Sequence, residues 1–311
     1  MKVFVFDYAR CNGCRNCQIV CKDEHCGNEW PGYARSQPDS GQFWVRVTEK
    51  VRGSVPKVVV SYTLNMCRHC DDAPCAGICP AYAFKRRDDG LLLLDPDACN
   101  GCMLCAEACP YGAIFQNKDL SIAQKCTGCA HLLDDGWKEP RCADACPHGS
   151  LRCLDDQEAR IRYPQDYEAS VVKAKEHLIL LNAPQPFVAG TVVDLVADEV
   201  LIGARVTLEN KLDGSLQVQD TDDFGDFWFK QAEAADYQLY IEAEGYLNRS
   251  MGISTTEKDC NLGIIEMSSA RFFDAEEDVT MEAALDIEAP RERKEGQSLA
   301  EGNDYYVFKN T

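Results

Sequence analysis

Apolar residues follow two different registers along this chain, and the register changes near residue 185. In the first half the apolar stretches are short and end at polar loops. Residues 3–6, Val-Phe-Val-Phe, run up to Asp7, and residues 91–94, four leucines, run up to Asp95. A brief continuous apolar run closed by turn residues reads as a short buried strand. Residues 43–50 and 57–64 are rich in β-forming residues and flank Gly53-Ser54, which predicts a hairpin. Residues 155–177 are charged and predict a helix over 169–177; Asn182-Ala-Pro-Gln-Pro186 reads as a linker.

Beyond the linker, short β-rich runs alternate with turn signals, at 191–193, 205–209, 215–219, 226–229, 237–242, 251–254 and 263–266. Asp213-Gly214 and Phe224-Gly225 stand at hairpin positions. Seven short strands at this spacing predict a small antiparallel β-sandwich. The acidic stretch 274–301 has no clear period and is expected to be disordered or held loosely against a partner. The expected organisation is therefore α+β. Residues 1–182 form the first domain, with an insertion at 22–66; a sandwich follows at 187–268, then an acidic tail at 269–311.

Charge and length narrow the function. The 311 residues carry 51 Asp and Glu against 32 Lys and Arg, a formal charge of −19. That balance disfavours nucleic acid or an anionic membrane surface as partner. No apolar run approaches the roughly 20 residues needed to span a bilayer. The opening apolar stretch is too short for a signal peptide. A cytoplasmic location is expected, with co-export beside a partner bearing a twin-arginine signal as the alternative.

Cysteine changes the picture most. Of nineteen cysteines, eighteen precede residue 154, and that segregation favours metal over disulfide. Sixteen fall into four runs: Cys11, Cys14, Cys17, Cys21; Cys67, Cys70, Cys75, Cys79; Cys99, Cys102, Cys105, Cys109; and Cys126, Cys129, Cys142, Cys146. The third reads C-x2-C-x2-C-x3-C-P, the run that binds [4Fe–4S] clusters in bacterial ferredoxins. The second has a wider middle gap, and in the fourth that gap is twelve residues. An internal repeat supports the parse. Asp7 and Asp95 each stand four residues before Cys-Asn-Gly-Cys, the fourth run opens Cys126-Thr-Gly-Cys129, and Pro80, Pro110 and Pro147 follow the last cysteine of three runs. Each unit is expected to be a short strand, a cluster loop and a turn into a brief helix, two pairs making two ferredoxin-like modules.

In such runs the fourth cysteine ligates the other cluster of its pair. Pairing run one with four, and two with three, gives four sets. Cluster A takes Cys11, Cys14, Cys17 and Cys146, and cluster B takes Cys126, Cys129, Cys142 and Cys21. Cluster C takes Cys67, Cys70, Cys75 and Cys109, and cluster D takes Cys99, Cys102, Cys105 and Cys79. Structural zinc on paired C-x2-C knuckles is the rival, but it calls for neither the third cysteine nor the C-P. Cys26, Cys153 and Cys260 complete no run and read as free thiols. His25, His69, His131 and His148 lie near ligand positions and read as donors around the clusters or as surface residues. Arg10, Arg15, Lys22, Arg68 and Lys125 adjoin ligands, where a cation would raise a cluster's potential. Trp30 and Trp44 read as packing residues. No catalytic triad, phosphate loop or flavin motif is visible, so the chain reads as a non-catalytic electron carrier.

Four such runs, with the second and fourth altered in this way, resemble the iron–sulfur subunit of the dimethyl sulfoxide reductase family of molybdenum enzymes. The resemblance covers about residues 1–155. Asp23-Glu24-His25, Asn28-Glu29-Trp30-Pro31-Gly32-Tyr33, and the stretch from Gln124-Lys125-Cys126 through His131 to Asp135 are similar to the small-subunit group of pyrogallol–phloroglucinol transhydroxylase. Gly203-Ala204, Thr221-Asp222, Gly225-x-Phe227-x-Phe229 and Gly245-Tyr246 look like the carboxypeptidase-regulatory or transthyretin-like sandwich. The resemblance implies a large partner subunit carrying a bis-pterin molybdenum or tungsten cofactor, acting on a phenolic ring, with an external electron donor or acceptor. The transhydroxylase small subunit lacks one cluster, whereas this sequence keeps all sixteen cysteines. That departure points to net redox chemistry, a hydroxylase or a reductive dehydroxylase. A transhydroxylase small subunit without net redox change, or a free polyferredoxin-type carrier, are the alternatives.

Overall fold

The computed structural model describes residues 1–270; the acidic stretch 274–301 lies outside them. The first strand, β1 (Lys2–Asp7), is the centre of a three-stranded sheet. It pairs antiparallel with β8 (Leu151–Asp155) and parallel with β9 (Leu178–Leu181). Its continuous apolar run is explained by burial on both faces. Phe4 and Phe6 pack with Trp44, Leu151 and Leu178, while Val3 and Val5 pack with Leu154, Tyr167, Val171 and Ile179.

Between β1 and β8 lie α1 (Asn16–His25), the hairpin β2 (Val45–Ser54) and β3 (Lys57–Met66), and a series of short elements. These are α2 (Pro74–Gly77), β4 (Phe84–Arg86), β5 (Leu92–Leu94), α3 (Leu104–Ala108), β6 (Ile114–Asn117), β7 (Ile122–Lys125), α4 (Ala130–Asp134) and α5 (Arg141–Asp144). Strands β4 and β5 pair as one small antiparallel ladder, and β6 and β7 as another. Leu92, Leu94, Ile114 and Ala123 from these ladders close a core around Cys75 and Cys105.

Three expectations need correction. The brief helices do not follow the C-P turns: α2, α3 and α5 hold the third cysteine of their runs, and each C-P turn leads into a strand instead. Helix α1 runs through Lys22 to His25 and ends where the Cys26 N–H bonds Lys22 O. The hairpin turns at Val55-Pro56 while Gly53 and Ser54 remain in register with Val58 and Lys57. Proline cannot donate to a ladder, so the turn suits it. The helix expected at 169–177 lies earlier, as α6 (Asp156–Arg162), α7 (Pro164–Tyr167) and a wide π-type turn over Glu168–Lys173. Lys175, at φ +56°, ends it.

The second half is a β-sandwich. One sheet holds β10 (Val188–Asp194), β11 (Glu199–Val200), β14 (Asp226–Phe229) and β17 (Cys260–Glu266). The other is ordered β13 (Leu216–Asp220), β12 (Arg205–Asn210), β15 (Asp236–Glu242), β16 (Arg249–Ser254). Period-two burial fills the space between them with Val192, Val206, Leu208, Phe227, Leu239, Ile241 and Ile265. The sandwich is not wholly antiparallel, because β17 runs parallel to β10. The two-residue β11 is too short to show in the sequence pattern. The hairpin ties this half to the first. Lys57 pairs with Asp226, Arg52 pairs with Asp259, and Asn261 donates to Ser54. Among the described residues no helix is long and apolar enough to cross a membrane.

Candidate metal centre

The Cys-x-Gly-Cys openings share one backbone device. Asn12 Oδ1 accepts the Cys14 N–H at 3.1 Å and Asn100 Oδ1 accepts the Cys102 N–H at 3.2 Å. Thr127 Oγ1 takes the Cys129 N–H in the same way at 3.2 Å. The glycine between them is left-handed each time, at φ +74° for Gly13, +71° for Gly101 and +64° for Gly128. The side-chain acceptor and the glycine together curl the loop so that successive cysteines face one side. Asp7 and Asp95, the repeated residues upstream, accept backbone N–H groups from Ala9 and Asp97 at 3.0 Å and fix the entry to each loop.

The tertiary fold gathers the sixteen cysteines into groups. Cys11, Cys14, Cys17 and Cys146 line one cavity, walled by Phe6, Val47 and Leu151. Cys67, Cys70, Cys75 and Cys109 line a second, walled by Leu92, Tyr111 and Ile114. Cys21, Cys126, Cys129 and Cys142 are buried together and act on one another electrostatically. Cys105 faces Cys99, Cys102 and Cys79. Neighbouring groups lie close enough to influence one another. Cys17 is near Cys142, Cys67 is near Cys126, and Cys75 shares a core with Cys99 and Cys105. The groups thus follow one another through the fold in the order Cys17, Cys142, Cys67, Cys105, each cysteine standing for its group. One cysteine at each end, Cys14 and Cys102, is exposed.

Burial makes ionisation unfavourable for eight of these thiols. Burial first, then Cys146 and Cys11, push the Cys17 thiol up to about 12. Burial and Cys126 push Cys129 to about 12, and burial with Cys99, Cys102 and Cys79 pushes Cys105 to about 11. Burial and neighbouring thiolates drive Cys21 and Cys142 well above the ordinary value. A set of buried thiols that repel one another as thiolates fits a positively charged core, which deprotonates its ligands outright. Among the described residues no three His, Cys, Asp or Glu side chains gather tightly enough for a single metal ion. Two of the groups ring cavities instead, an arrangement that fits an inorganic cube.

Amide groups reach several of the sulfurs. Ala123 N–H donates to Cys99 Sγ at 3.4 Å, Leu151 N–H to Cys146 at 3.5 Å and Gly128 N–H to Cys126 at 3.3 Å. Such bonds favour the more negative, reduced state of a cluster. Of the four histidines near ligand positions, three are not surface residues: His25, His69 and His131 are buried, and His148 is exposed at the rim of the first cavity. His25 Nε2 lies 3.8 Å from Cys129 Sγ, and His131 Nε2 lies 3.0 Å from Glu24. Trp30 stacks on His131 at 4.1 Å between centroids, and Trp44 packs on His25 at 4.6 Å. Cys26 bonds Asp39, while Cys153 is buried and Cys260 half-buried. One contact had no sequence signal. Glu176, far along the chain, binds both Arg68 and Tyr111 beside the second cavity. Glu176 belongs to none of the cysteine runs, so nothing in their spacing points to it.

Comparison with known proteins assigns each half of the chain to a family. A family model described as a 4Fe-4S dicluster domain matches residues 58–156, and one described as a carboxypeptidase regulatory-like domain matches residues 188–261. The chain is 32% identical over 279 residues to the pyrogallol hydroxytransferase small subunit of Pelobacter acidigallici, a match covering 85% of this chain and 98% of that one. It is 36% identical to one chain of the anaerobic dimethyl sulfoxide reductase of Escherichia coli (49% of this chain, 71% of that one). It is 30% identical to one subunit of the tetrathionate reductase of Salmonella typhimurium (64% and 73%). Each of these relatives is named as a chain or subunit of a larger enzyme. The polypeptide belongs to the family of electron-transferring iron–sulfur small subunits of the dimethyl sulfoxide reductase type, in which the pyrogallol hydroxytransferase small subunit also falls.

Proposed function

We propose that this chain is the electron-transfer subunit of a heterodimeric enzyme whose large subunit carries a bis-pterin molybdenum or tungsten cofactor and acts on a phenolic ring. One observation carries the reading: the likeness to the pyrogallol hydroxytransferase small subunit spans cluster half and sandwich together. On that likeness the first reading is a transhydroxylase-type enzyme, with a hydroxyl moved between rings and no net gain or loss of electrons. The second reading, a net hydroxylase or reductive dehydroxylase, is favoured by the full complement of sixteen run cysteines. A complete wire is needed where electrons must enter or leave. The order of the cysteine groups, with Cys14 and Cys102 exposed at opposite ends, supports either.

In this reading the chain holds four [4Fe–4S] clusters in two ferredoxin-like modules. Cluster A is held by Cys11, Cys14, Cys17 and Cys146, B by Cys126, Cys129, Cys142 and Cys21, C by Cys67, Cys70, Cys75 and Cys109, and D by Cys99, Cys102, Cys105 and Cys79. The clusters supply one-electron steps; the polypeptide supplies spacing, burial and hydrogen bonds to sulfur.

Anaerobic purification of the native complex tests this. About sixteen iron per copy of this chain, with molybdenum or tungsten in a larger co-purifying chain, is the expected result. Steady turnover of a phenol by that complex without any donor or acceptor selects the transhydroxylase. Strict dependence on an added redox partner selects the net reaction. Iron at that level with no second chain and no second metal overturns the proposal in favour of a free carrier.

A further inference from the structure

We propose that Lys125 is a positioning residue that raises the reduction potentials of the two inner clusters, B and C, by placing a buried ammonium at their junction. The inference rests on the four-cluster reading above. Lys125 ends β7 and is 2% exposed. Its Nζ donates to the Leu92 carbonyl and, at 2.8 Å, to the Cys126 carbonyl. Both acceptors are neutral carbonyls, and among the described residues no carboxylate pairs with it. Leu92 lines the cavity of Cys67, Cys70, Cys75 and Cys109, and Cys126 belongs to the neighbouring group. The ammonium therefore stands between two sets of thiolates, at the place where Cys67 approaches Cys126.

The other cations beside ligand cysteines are differently placed. Arg10 and Arg15 are exposed, so water screens them. Arg68 is neutralised by Glu176 and lies over the Tyr111 ring. Lys22 is half-buried and donates to Pro38 and Gln42. Only Lys125 of these five is both buried and without an acidic partner among the described residues. An ammonium kept from water is costly unless opposite charge lies near it. The nearest candidates are the clusters themselves. Burial raises the Cys75 and Cys126 thiols, and Lys125 opposes that rise at both. When a cluster takes up one electron its charge becomes one unit more negative with no bond made or broken. A fixed positive charge in a low-dielectric site favours that state. Lys125 acts on two clusters at once because it touches the surroundings of both.

The test is a redox titration of the whole chain, in complex with its partner if the two co-purify, with clusters followed by electron paramagnetic resonance against soluble mediators. In Lys125→Gln and Lys125→Met, two of the four midpoint potentials are expected to move downward while two stay in place, at unchanged iron content. Lys125→Arg is expected to restore them. Glutamine keeps a donor for the two carbonyls and methionine does not, so a potential shift common to both variants reports the lost charge and not the lost hydrogen bonds. Four unchanged midpoints at full iron, or all four moving together, would overturn the inference. Loss of every cluster in both neutral variants would also overturn it, leaving Lys125 a structural residue. About twelve iron in the unmodified chain would instead contradict the four-cluster reading, and the Lys125 comparison would still be decided on the clusters present.

Discussion

Arg52 in the hairpin and Asp259 in the sandwich meet in an ion pair at 2.9 Å, with side chains only 15% and 9% exposed. Arg52 also donates to the Gln185 carbonyl, and Asp259 accepts the Phe187 N–H. The pair thus fastens the C-terminal end of the linker, at Gln185 and Phe187, to the hairpin. Arg52→Ala leaves Asp259 buried without its cation and is expected to cost about 3–5 kcal/mol. Limited proteolysis should then cut near residues 182–187 much faster. Unchanged cleavage and an unchanged melting temperature would show that the pair carries no such load.

Gly101 allows the cluster loop to close. At φ +71°, a Cβ there would stand 2.1 Å from the Ser121 carbonyl oxygen, a backbone atom. Gly101→Ala is expected to lose up to four iron, because the loop cannot close round cluster D without moving β7. Gly27→Ala provides the control, since Gly27 has φ +72° but nothing within 4 Å of the added carbon. It should cost only the left-handed strain, about 1–2 kcal/mol, and retain full iron.

Cys102, exposed at the end of the series, is expected to affect one cluster alone. Cys102→Ser should remove or convert a single centre and slow electron transfer between subunits. Cys21→Ser, in a fully buried group, should affect a different centre and destabilise the fold as well. Iron counts and paramagnetic spectra of the two variants separate these effects. Four intact clusters in Cys102→Ser would exclude it as a ligand.

Asp134 gives a pH signature. Arg87 holds it through two hydrogen bonds, at 2.7 and 2.9 Å, and Tyr33 donates to it at 2.7 Å. Arg87 and then Tyr33 depress its carboxyl to about 2. A carboxyl depressed in the folded state stabilises fully above its unfolded value near 4 and loses that contribution as pH falls through 2. The side chain is 42% exposed, so solvent screening limits the effect to about 1 kcal/mol. Asp134→Asn should lower the melting temperature slightly at pH 6 and flatten its fall between pH 4 and 2. Parallel curves for the two proteins would deny Asp134 this role.

The features legible in the sequence are those that depend on near neighbours. The spacing of cysteines within a run, the asparagine and glycine that bend Cys-Asn-Gly-Cys, and the alternation of apolar residues in the sandwich act over a few residues. The strands at 205–209 and 226–229 accordingly match β12 and β14 almost residue for residue. The helix expected at 169–177 differs from the observed one because its end is set by left-handed backbone at Lys175, a residue with no glycine-like signal.

Sequence alone thus determined the iron–sulfur character and the β-rich second half, because ligand spacing and strand periodicity are local properties. Tertiary structure decided which charges matter. Arg68 and Lys125 look alike beside their cysteines, yet a distant Glu176 neutralises one while folding buries the other among carbonyls. It also decided that β17 returns parallel to β10 and that the hairpin grips the sandwich. Burial and long-range pairing depend on how separate segments fill the same space, and that competition leaves no mark on the residues next door in the chain.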